Sequence, residues 1–586
     1  MTHSDTQVEG RVEVVDAPVA RPRPRVGWAG LRLLWWAVLA AGCCGLFLGY
    51  LRMSRTQATN SDGASNALQA WDMLHGNLLL HGWTLSDVSF YTTELPQYAL
   101  VELVYGLRAD VIHVAAAMTY TLLVLAAAVL ARGRARGVAG LVRAGIAVAI
   151  LLVPEAGTGY LTLLNSPDHT GTGLPVLVTW IVLERGLTGR DGTPRDRPAR
   201  WLPYAVVPLL AWGAMGDTLV IVTAVLPLIV VSALRLAGPG RPPLRDVSGW
   251  LRRTEGRLLV AGVGGLLLAE AGLLAVRLGG GFSLHAVSVE LAGPGRLGRN
   301  AWIGIVGLGI DFGAFPPDAH GTGTALLVAA HLVGVVAVLV AAALVAVRTI
   351  RAAVRGRGGH GLDWVAPLLA FGILANLAAF VLSTLPADRL SARQIVSLLP
   401  LGAALAGRVY GPRLTASLRA ARRAVPVLVA LLLALGTALG VQAASAQPVP
   451  AANQDIALWL RANGLRYGLG GYWSADVITL VTGGEVTVVP LSAAAGTEHL
   501  LYAYRWESRS DWFDPTRHDA RFLVLDLQDP AYGRLDLALA QFGEPRYRQD
   551  FGRFAVLVYD VNLLVGLPAL CGGGRTAPSM AECPRR

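Results

Sequence analysis

The chain has 586 residues, of which 54% are apolar and 15% charged, and its mean hydropathy is +0.50. Soluble domains carry about 25% charged residues and at most about 50% apolar ones. This composition excludes a purely soluble globular enzyme and a disordered protein. All 50 basic residues are arginines and the net charge is +11. That charge falls in predicted membrane loops, so it gives no support to nucleic-acid binding.

Residues 1–27 are polar and rich in proline and arginine, which predicts a disordered cytoplasmic tail. Apolar runs of about the 20 residues needed to cross a bilayer then recur as far as residue 444. They predict an α-helical polytopic membrane domain, residues 28–444, with about eleven spans. The predicted spans are 31–51, 110–131, 141–156, 171–184, 201–215, 219–234, 258–278, 324–347, 364–384, 394–407 and 424–444.

Arginines are distributed unequally between alternate loops. The loops at 132–143, 185–200, 235–257, 348–357 and 408–423 hold 24 arginines, whereas the alternate loops hold 7. Positive charge is retained on the cytoplasmic side of a membrane. We therefore expect a multi-pass plasma-membrane protein with a cytoplasmic N-terminus and an extracytoplasmic C-terminal domain.

Two large segments lie on the predicted outer side. The first outer loop, 52–109, is polar and predicts surface helices near 64–80 and 96–107, which would form a structured lid. Residues 445–586 predict a small extracytoplasmic α/β domain that follows a proline-containing linker. Within it, we expect a hairpin in which strands 477–481 and 485–490 flank a Thr-Gly-Gly turn.

Cys571 and Cys583 are an even pair at the predicted outer end of the chain. An oxidising compartment favours a disulfide between them. Cys43 and Cys44 lie inside the first predicted span and are interpreted as packing residues.

Several ionisable residues are candidates for chemistry, and each also has a structural interpretation. Asp62 suits a helix N-cap as well as a catalytic carboxylate. Asp168 and His169 suit a turn as well as a metal or phosphate site. Arg389 and Arg393 suit interfacial anchors as well as an anionic head-group site.

Three further groups have competing interpretations. Glu270 lies deep inside a predicted span, so a cavity or a partner such as Arg277 is expected. Asp217 is interpreted as a helix cap. Tyr472 and Trp473 suit the core of the small domain, and they would also suit contact with an acceptor sugar.

The long first loop with Asp62 in Asn-Ser-Asp-Gly, its surface helices and the outer domain together resemble the GT-C superfamily of polyprenyl-phosphate-dependent glycosyltransferases. The stretch from Ser391 to Pro400 resembles the late Arg-Tyr-x-x-Pro region of that superfamily, with Gln394 in place of the aromatic. The family's paired acids of the first loop are absent, because Gly63 follows Asp62. The organisation also resembles that of large actinobacterial membrane-protein families.

The resemblance implies transfer of a hexose or pentose from a polyprenyl-phosphate donor to a cell-envelope glycan or protein, with inversion and with no nucleotide. Asp62 would be the base, and Arg393 would bind the donor phosphate with Arg389 and His169. A divalent cation such as Mg²⁺ or Mn²⁺, held by Asp168, would assist, and Tyr472 and Trp473 would contact the acceptor. A flippase of lipid-linked sugars and a non-catalytic lipid-binding protein remain the alternatives.

Overall fold

The computed structural model of the chain describes residues 28–189, 193, 195, 198–237, 246–285, 289–314, 322–355, 363–493, 500–571 and 575–583. The predicted cytoplasmic tail, 1–27, lies outside the described residues. The chain divides into two compact units, Met1–Leu46 and Phe47–Arg586. The fold and the site described below belong to the second unit.

The described residues of the membrane domain and its outer loops form sixteen α-helices, with a π-helix at Ile221–Val225 and a 3₁₀ helix at Arg389–Ile395. The α-helices are α1 Trp28–Ser54, α2 Ser61–Leu74, α3 Leu95–Tyr105, α4 Asp110–Arg132, α5 Gly137–Leu151, α6 Thr158–Leu163, α7 Gly173–Leu187, α8 Leu202–Gly216, α9 Leu226–Leu236, α10 Val247–Arg252, α11 Thr254–Leu278, α12 Pro294–Phe312, α13 Thr322–Val354, α14 Val365–Leu382, α15 Leu398–Leu414 and α16 Leu418–Ser445.

Each of the eleven predicted spans coincides with helix. Six helices of the described residues are long and apolar enough to cross a membrane, namely α1, α4, α11, α13, α14 and α16. A seventh candidate combines the helix at Arg389–Ile395 with α15, across a 54° bend. A helix such as α5, with 15 residues, is only about 22 Å long, which is shorter than a bilayer core of about 30 Å. An apolar run alone therefore does not separate spans from short buried helices.

Helix α12 lies where the sequence predicts only an outer loop. Its glycines interrupt the run of apolar residues by which a span is recognised in sequence, but they allow close packing. A Cβ added at Gly307 would lie 3.2 Å from Ile395 Cδ1 and 3.3 Å from Ala392 Cβ. Gly307 thus lets α12 approach the 3₁₀ helix at Arg389–Ile395.

The described residues of the C-terminal segment form an eight-stranded mixed sheet, three α-helices and three short 3₁₀ helices. The bounds of the α-helices are α17 Gln454–Ala462, α18 Tyr472–Val481 and α19 Leu535–Phe542. The chain's strands, in chain order, are β1 Trp83–Leu85, β2 Ser283–Leu284, β3 Tyr467–Gly471, β4 Thr487–Ser492, β5 Tyr502–Tyr504, β6 Ser508–Arg509, β7 Phe522–Asp526, β8 Tyr547–Phe551, β9 Phe554–Val558, β10 Ala569–Cys571 and β11 Arg575–Ala577. The sheet order is β11-β10-β5-β4-β3-β7-β9-β8.

The predicted hairpin at 477–490 is wrong. Residues 477–481 belong to α18, and α18 connects the parallel strands β3 and β4. A short apolar run fits a buried helix as well as a strand. Ala475 and Ile478 of α18 pack in one buried cluster with Val488 and Val524 of the sheet. The last turn ends where Gly483 and Gly484 take positive φ, a conformation that glycine adopts readily.

A second, three-stranded sheet joins distant parts of the chain. Strand β1 of the first outer loop pairs in parallel with β2 and antiparallel with β6 of the C-terminal segment. Trp83 packs edge to face against Trp512, with ring centroids 5.1 Å apart. This sheet fixes the first outer loop against the C-terminal domain. The predicted disulfide between Cys571 and Cys583 is confirmed.

Candidate active site

Asp62 lies in the first turn of α2. The N-cap of this helix is Asn60, whose side chain accepts a hydrogen bond of 3.0 Å from Gly63 N. The interpretation of Asp62 as the N-cap is therefore wrong, because the cap falls two residues earlier. The Asp62 carboxylate is free of the cap role, and it instead contacts two distant side chains.

The first of these contacts is Arg393, whose Nη1 donates a 3.2 Å hydrogen bond to Asp62 Oδ2. Arg393 lies on the 3₁₀ helix at Arg389–Ile395, and Asp388 caps the start of that helix by accepting from Leu390 N. Arg389 begins the same helix and is exposed. Only Arg393 of the two predicted arginines therefore contacts the carboxylate.

The second contact is Tyr472, whose hydroxyl lies 2.6 Å from Asp62 Oδ1. Tyr472 is buried at the start of α18, and its carbonyl oxygen accepts a 2.8 Å hydrogen bond from Ser61 Oγ. The predicted neighbour Trp473 is 48% exposed and packs edge to face on Tyr472, at 4.9 Å between ring centroids. Tyr472 thus belongs to the site through its hydroxyl, whereas Trp473 presents its ring outside it.

Sequence reasoning missed Glu507, which also hydrogen-bonds the Tyr472 hydroxyl through Oε2. Glu507 is buried, and its backbone takes a left-handed φ of 47°. Burial, and then the nearby Asp62 carboxylate, hold the pKa of Glu507 well above its usual range. In the sequence, Glu507 stands between an aromatic and a polar residue, and this pattern does not indicate a functional site.

Asp476, one turn after Tyr472 on α18, was also missed. It is fully buried, and both of its carboxyl oxygens have no hydrogen-bond partner in the described structure. Burial and Asp62 raise the pKa of Asp476 well above its usual range. A buried carboxyl without partners is stable only when it is neutral.

Asp168 reaches the same cluster through α2. Its Oδ1 accepts a 2.8 Å hydrogen bond from Asn66 Nδ2, and its Oδ2 accepts a 2.6 Å hydrogen bond from Ser166 Oγ. Burial, and then Asp62, raise the pKa of Asp168. Asn66 lies four residues after Asp62 and therefore on the same face of the helix.

These surroundings do not fit the metal role predicted for Asp168. Both of its oxygens already accept hydrogen bonds. Within the described ranges, no group of three His, Cys, Asp or Glu side chains is arranged to hold a metal ion. We therefore assign no step of a reaction to a metal.

His169 is partly exposed and pairs with the fully buried side chain of Asp217. Its Nδ1 lies 2.9 Å from Asp217 Oδ2, and Asp217 Oδ1 accepts from Leu219 N, as expected for a cap. Burial alone would lower the pKa of His169, but the Asp217 carboxylate outweighs it and raises that pKa. The raised pKa favours the protonated form of His169, which directly follows Asp168 in the chain.

Glu270 and Arg277 are both exposed on α11. The expectation that Glu270 faces a cavity or a partner stays a prediction, because exposure alone does not show what covers this face of α11. The average apolar composition of α11, which is all that the sequence analysis used, does not indicate which side of this helix packs against α8.

The arrangement can accept a proton and hold an anion within one site. Asp62 is a carboxylate whose side chain is 26% exposed, so a small hydroxyl-bearing group can reach it. Arg393 and His169 both lie near Asp168, and each lowers the pKa of that carboxyl. A carboxylate and positioned cations together suit general-base chemistry on a reactant with an anionic leaving group.

No protein-family model matches the sequence, and no curated protein matches it. Two solved structures are similar in fold. ArnT from Cupriavidus metallidurans in the apo state has a TM-score of 0.50 and 13% identity, over 91% of this chain and 99% of that one. The Archaeoglobus fulgidus oligosaccharyltransferase has a TM-score of 0.44 and 12% identity, over 92% of this chain and 74% of that one. The chain has the GT-C fold that the sequence resemblance implied.

Proposed function

We propose that the protein is a membrane glycosyltransferase of the GT-C type that moves a sugar from a polyprenyl-phosphate donor to an extracytoplasmic acceptor. The observation that carries the proposal is the Asp62 carboxylate, held between the Arg393 guanidinium and the Tyr472 hydroxyl. These three residues come from the first outer loop, the 3₁₀ helix and the C-terminal domain. The fold, which is that of solved GT-C proteins, supports the same activity.

The proposed reaction uses Asp62 as the base and Arg393 as the cation that binds the phosphate. An acceptor hydroxyl hydrogen-bonds to Asp62 and loses its proton to that carboxylate as its oxygen attacks the anomeric carbon. The bond between that carbon and the phosphate oxygen breaks, and the phosphate leaves with the bonding electrons. Arg393 stabilises this anion, with Arg389 and His169 as further cations. A single displacement inverts the anomeric centre, and the donor brings its own activation, so no nucleotide is required.

The acceptor side is proposed to lie along aromatic residues next to Tyr472. Trp473 and Tyr532 meet edge to face at 6.4 Å, and Tyr504 and Trp506 have parallel rings 6.3 Å apart. Aromatic side chains give large contact area at low entropic cost. A cell-envelope glycan or protein would use Trp473 and these neighbours while its hydroxyl reaches Asp62.

The site is proposed to face away from the cytoplasm. The distribution of arginines supports this orientation, because the loops that carry Asp62, Asp168 and Arg393 belong to the arginine-poor set. The flippase alternative gains no support from Glu270 and Arg277, which lie on the exposed surface of α11.

The test is transfer by the purified protein in lipid nanodiscs, with radiolabelled polyprenyl-phosphate hexoses and pentoses and cell-envelope extract as acceptor. Asp62→Asn cannot take a proton at neutral pH, so we expect at least about a hundredfold loss of transfer, the usual scale of base removal. Asp550→Asn, on the exposed strand β8, is the matched control and should keep the wild-type rate. Wild-type transfer by Asp62→Asn would remove Asp62 as the base, and translocation without transfer would support the flippase.

A further inference from the structure

The second acid that GT-C proteins carry in the first outer loop has no room in this chain. A Cβ added at Gly63 would lie 2.9 Å from Ile112 Cγ2 and 3.2 Å from Ser166 Cβ. A longer side chain there would displace α4 or the loop before α7. A second carboxyl nevertheless reaches the surroundings of Asp62, because Glu507 approaches it from the C-terminal domain through Tyr472.

The Tyr472 hydroxyl is shared by two carboxyl groups but carries one proton. It lies within hydrogen-bond distance of Asp62 Oδ1 and of Glu507 Oε2. A tyrosine hydroxyl donates one hydrogen bond and accepts others. If both carboxyl groups were ionised, one of these contacts would join two oxygens with no hydrogen between them. One of the two carboxyl groups therefore carries a proton.

The charges and the burial decide which one does. Asp62 is 26% exposed, and its Oδ2 already accepts a hydrogen bond from the Arg393 guanidinium. Glu507 is buried, and burial disfavours a carboxylate. The proton therefore lies on Glu507, the Glu507 acid donates to Tyr472 Oη, and Tyr472 donates to Asp62.

We infer that Glu507 is a neutral positioning residue that directs the Tyr472 hydroxyl towards Asp62 and so fixes the orientation of the base. The inference rests on the proposed function in one respect, namely that Asp62 is the base. Glu507 itself touches no reactant. Its effect passes through the single hydroxyl of Tyr472.

The other groups around Glu507 agree with a neutral acid. The titratable groups that face it come from α2, α18, β5 and the loop before α7, and they are Asp62, Tyr472, Asp476, Tyr504 and Asp168. Of these groups only Tyr472, through its hydrogen bond, favours an ionised Glu507, and burial and the Asp62 carboxylate outweigh it. Burial and Asp62 raise its pKa accordingly.

Two substitutions separate a neutral donor from an ionised group. In Glu507→Gln the amide N–H can donate to Tyr472 Oη as the acid does, so we expect transfer within about twofold of wild type. Glu507→Ala removes the donor, and we expect about a tenfold loss of kcat, the scale of one buried hydrogen bond. Equal losses in both variants, or full activity in the alanine variant, would overturn the inference.

The pH dependence of kcat provides a measurement that a simple loss of structure would not change. As pH rises through the pKa of Glu507, the wild type loses the donor and two charges meet at Tyr472, so kcat should fall. Glu507→Gln has no proton to lose there and should keep its activity to higher pH. An identical alkaline decline in both proteins would contradict the role of Glu507.

Infrared difference spectroscopy tests the protonation without relying on turnover. At neutral pH the wild type should show the C=O stretch of a protonated carboxylic acid that Glu507→Gln lacks, and Asp476→Asn should lose a separate band. No difference between the wild type and Glu507→Gln in this region would overturn the inference. A wild type that shows the band but transfers no sugar would instead refute the proposed function.

Discussion

Arg393 Nη1 lies 3.2 Å from Asp62 Oδ2, although 331 positions separate the two residues. The contact depends on two short helices, since Asp62 lies in the first turn of α2 and Arg393 lies in a 3₁₀ helix capped by Asp388. It places Asp62, the proposed base, beside Arg393, the side chain proposed to bind the donor phosphate. Removal of either side chain is therefore expected to affect both functions together.

Asn60→Ala should separate stability from chemistry at this helix. Asn60 is the N-cap of α2, and loss of such a cap costs about 1 kcal/mol. We expect a lower melting temperature with most of the transfer activity retained, measured by differential scanning fluorimetry and by the transfer assay. Asp62→Asn should show the opposite pattern, with an unchanged melting temperature. Equal effects of both changes would indicate that Asp62 also supports the helix.

Arg393→Ala and Arg389→Ala should differ in size and in response to salt. Loss of the charged hydrogen bond from Arg393 corresponds to about tenfold to a hundredfold in kcat/KM for the donor. Arg389 is exposed, and a basic residue near an anionic head group contributes about 1 kcal/mol, or about fivefold in KM. Raising the salt concentration should remove the Arg389 effect and leave that of Arg393. Equal salt sensitivity of the two variants would indicate that both arginines act only through surface electrostatics.

Glu102→Gln should change how stability depends on pH. Both oxygens of this buried side chain on α3 lack partners in the described structure, and burial raises its pKa to about 9. A raised folded-state pKa means stability that is complete below the unfolded pKa of about 4.5 and is lost as pH rises towards 9.

The wild type should therefore lose at most about 1.4 kcal/mol of stability per pH unit in this window through Glu102. Glu102→Gln should lack that slope, as measured by melting temperatures between pH 5 and pH 9. Parallel curves for the two proteins would show that Glu102 stays ionised. A matched change at exposed Glu544 should leave the slope unchanged.

The disulfide should contribute to the stability of the outer domain and little to catalysis. Cys571 and Cys583 close a short loop at the edge of the sheet, at β10 and just after β11. Replacing both with serine should cost about 2 to 3 kcal/mol. Transfer measured well below the melting temperature should stay close to wild type, because neither cysteine contacts Asp62 or Tyr472. Loss of transfer without unfolding would contradict this separation.

The proposed topology predicts opposite labelling at two exposed positions. With Cys43 and Cys44 replaced by serine, a thiol at Gln528→Cys in the outer domain should react with a membrane-impermeant maleimide in intact cells. A thiol at Arg200→Cys, between α7 and α8, should react only after lysis. The reverse pattern would overturn the orientation inferred from the arginines.

The sequence predicted the helices better than it predicted the strands. Apolar runs located all eleven predicted helices, and the polar first loop indicated α2 and α3. Sequence reasoning missed α12, because glycines dilute the apolar pattern of that helix. It also assigned residues 477–481 to a strand, because an apolar run of five residues is too short to distinguish the period of a strand from that of a helix.

The site could be predicted only in part. Asp62 and Arg393 were identified by their resemblance to family motifs, and the structure brings them together. Glu507 and Asp476 gave no local signal, since their roles arise from burial and from contacts across the fold. Asp168 was predicted as a metal ligand, but its hydrogen bond to Asn66 joins residues 102 positions apart that only the folded chain brings near.

The three-stranded sheet of β1, β2 and β6 has a consequence for synthesis of the protein. In the proposed topology, Asp62 is exported soon after the first span, whereas Tyr472 and Glu507 cross the membrane near the end of translation. A nascent chain therefore exposes a carboxylate that lacks its orienting hydroxyl and its anchoring sheet partner. In this topology, export of the final segment completes the site, and a chain that stops before it is expected to transfer sugar more slowly than the whole protein.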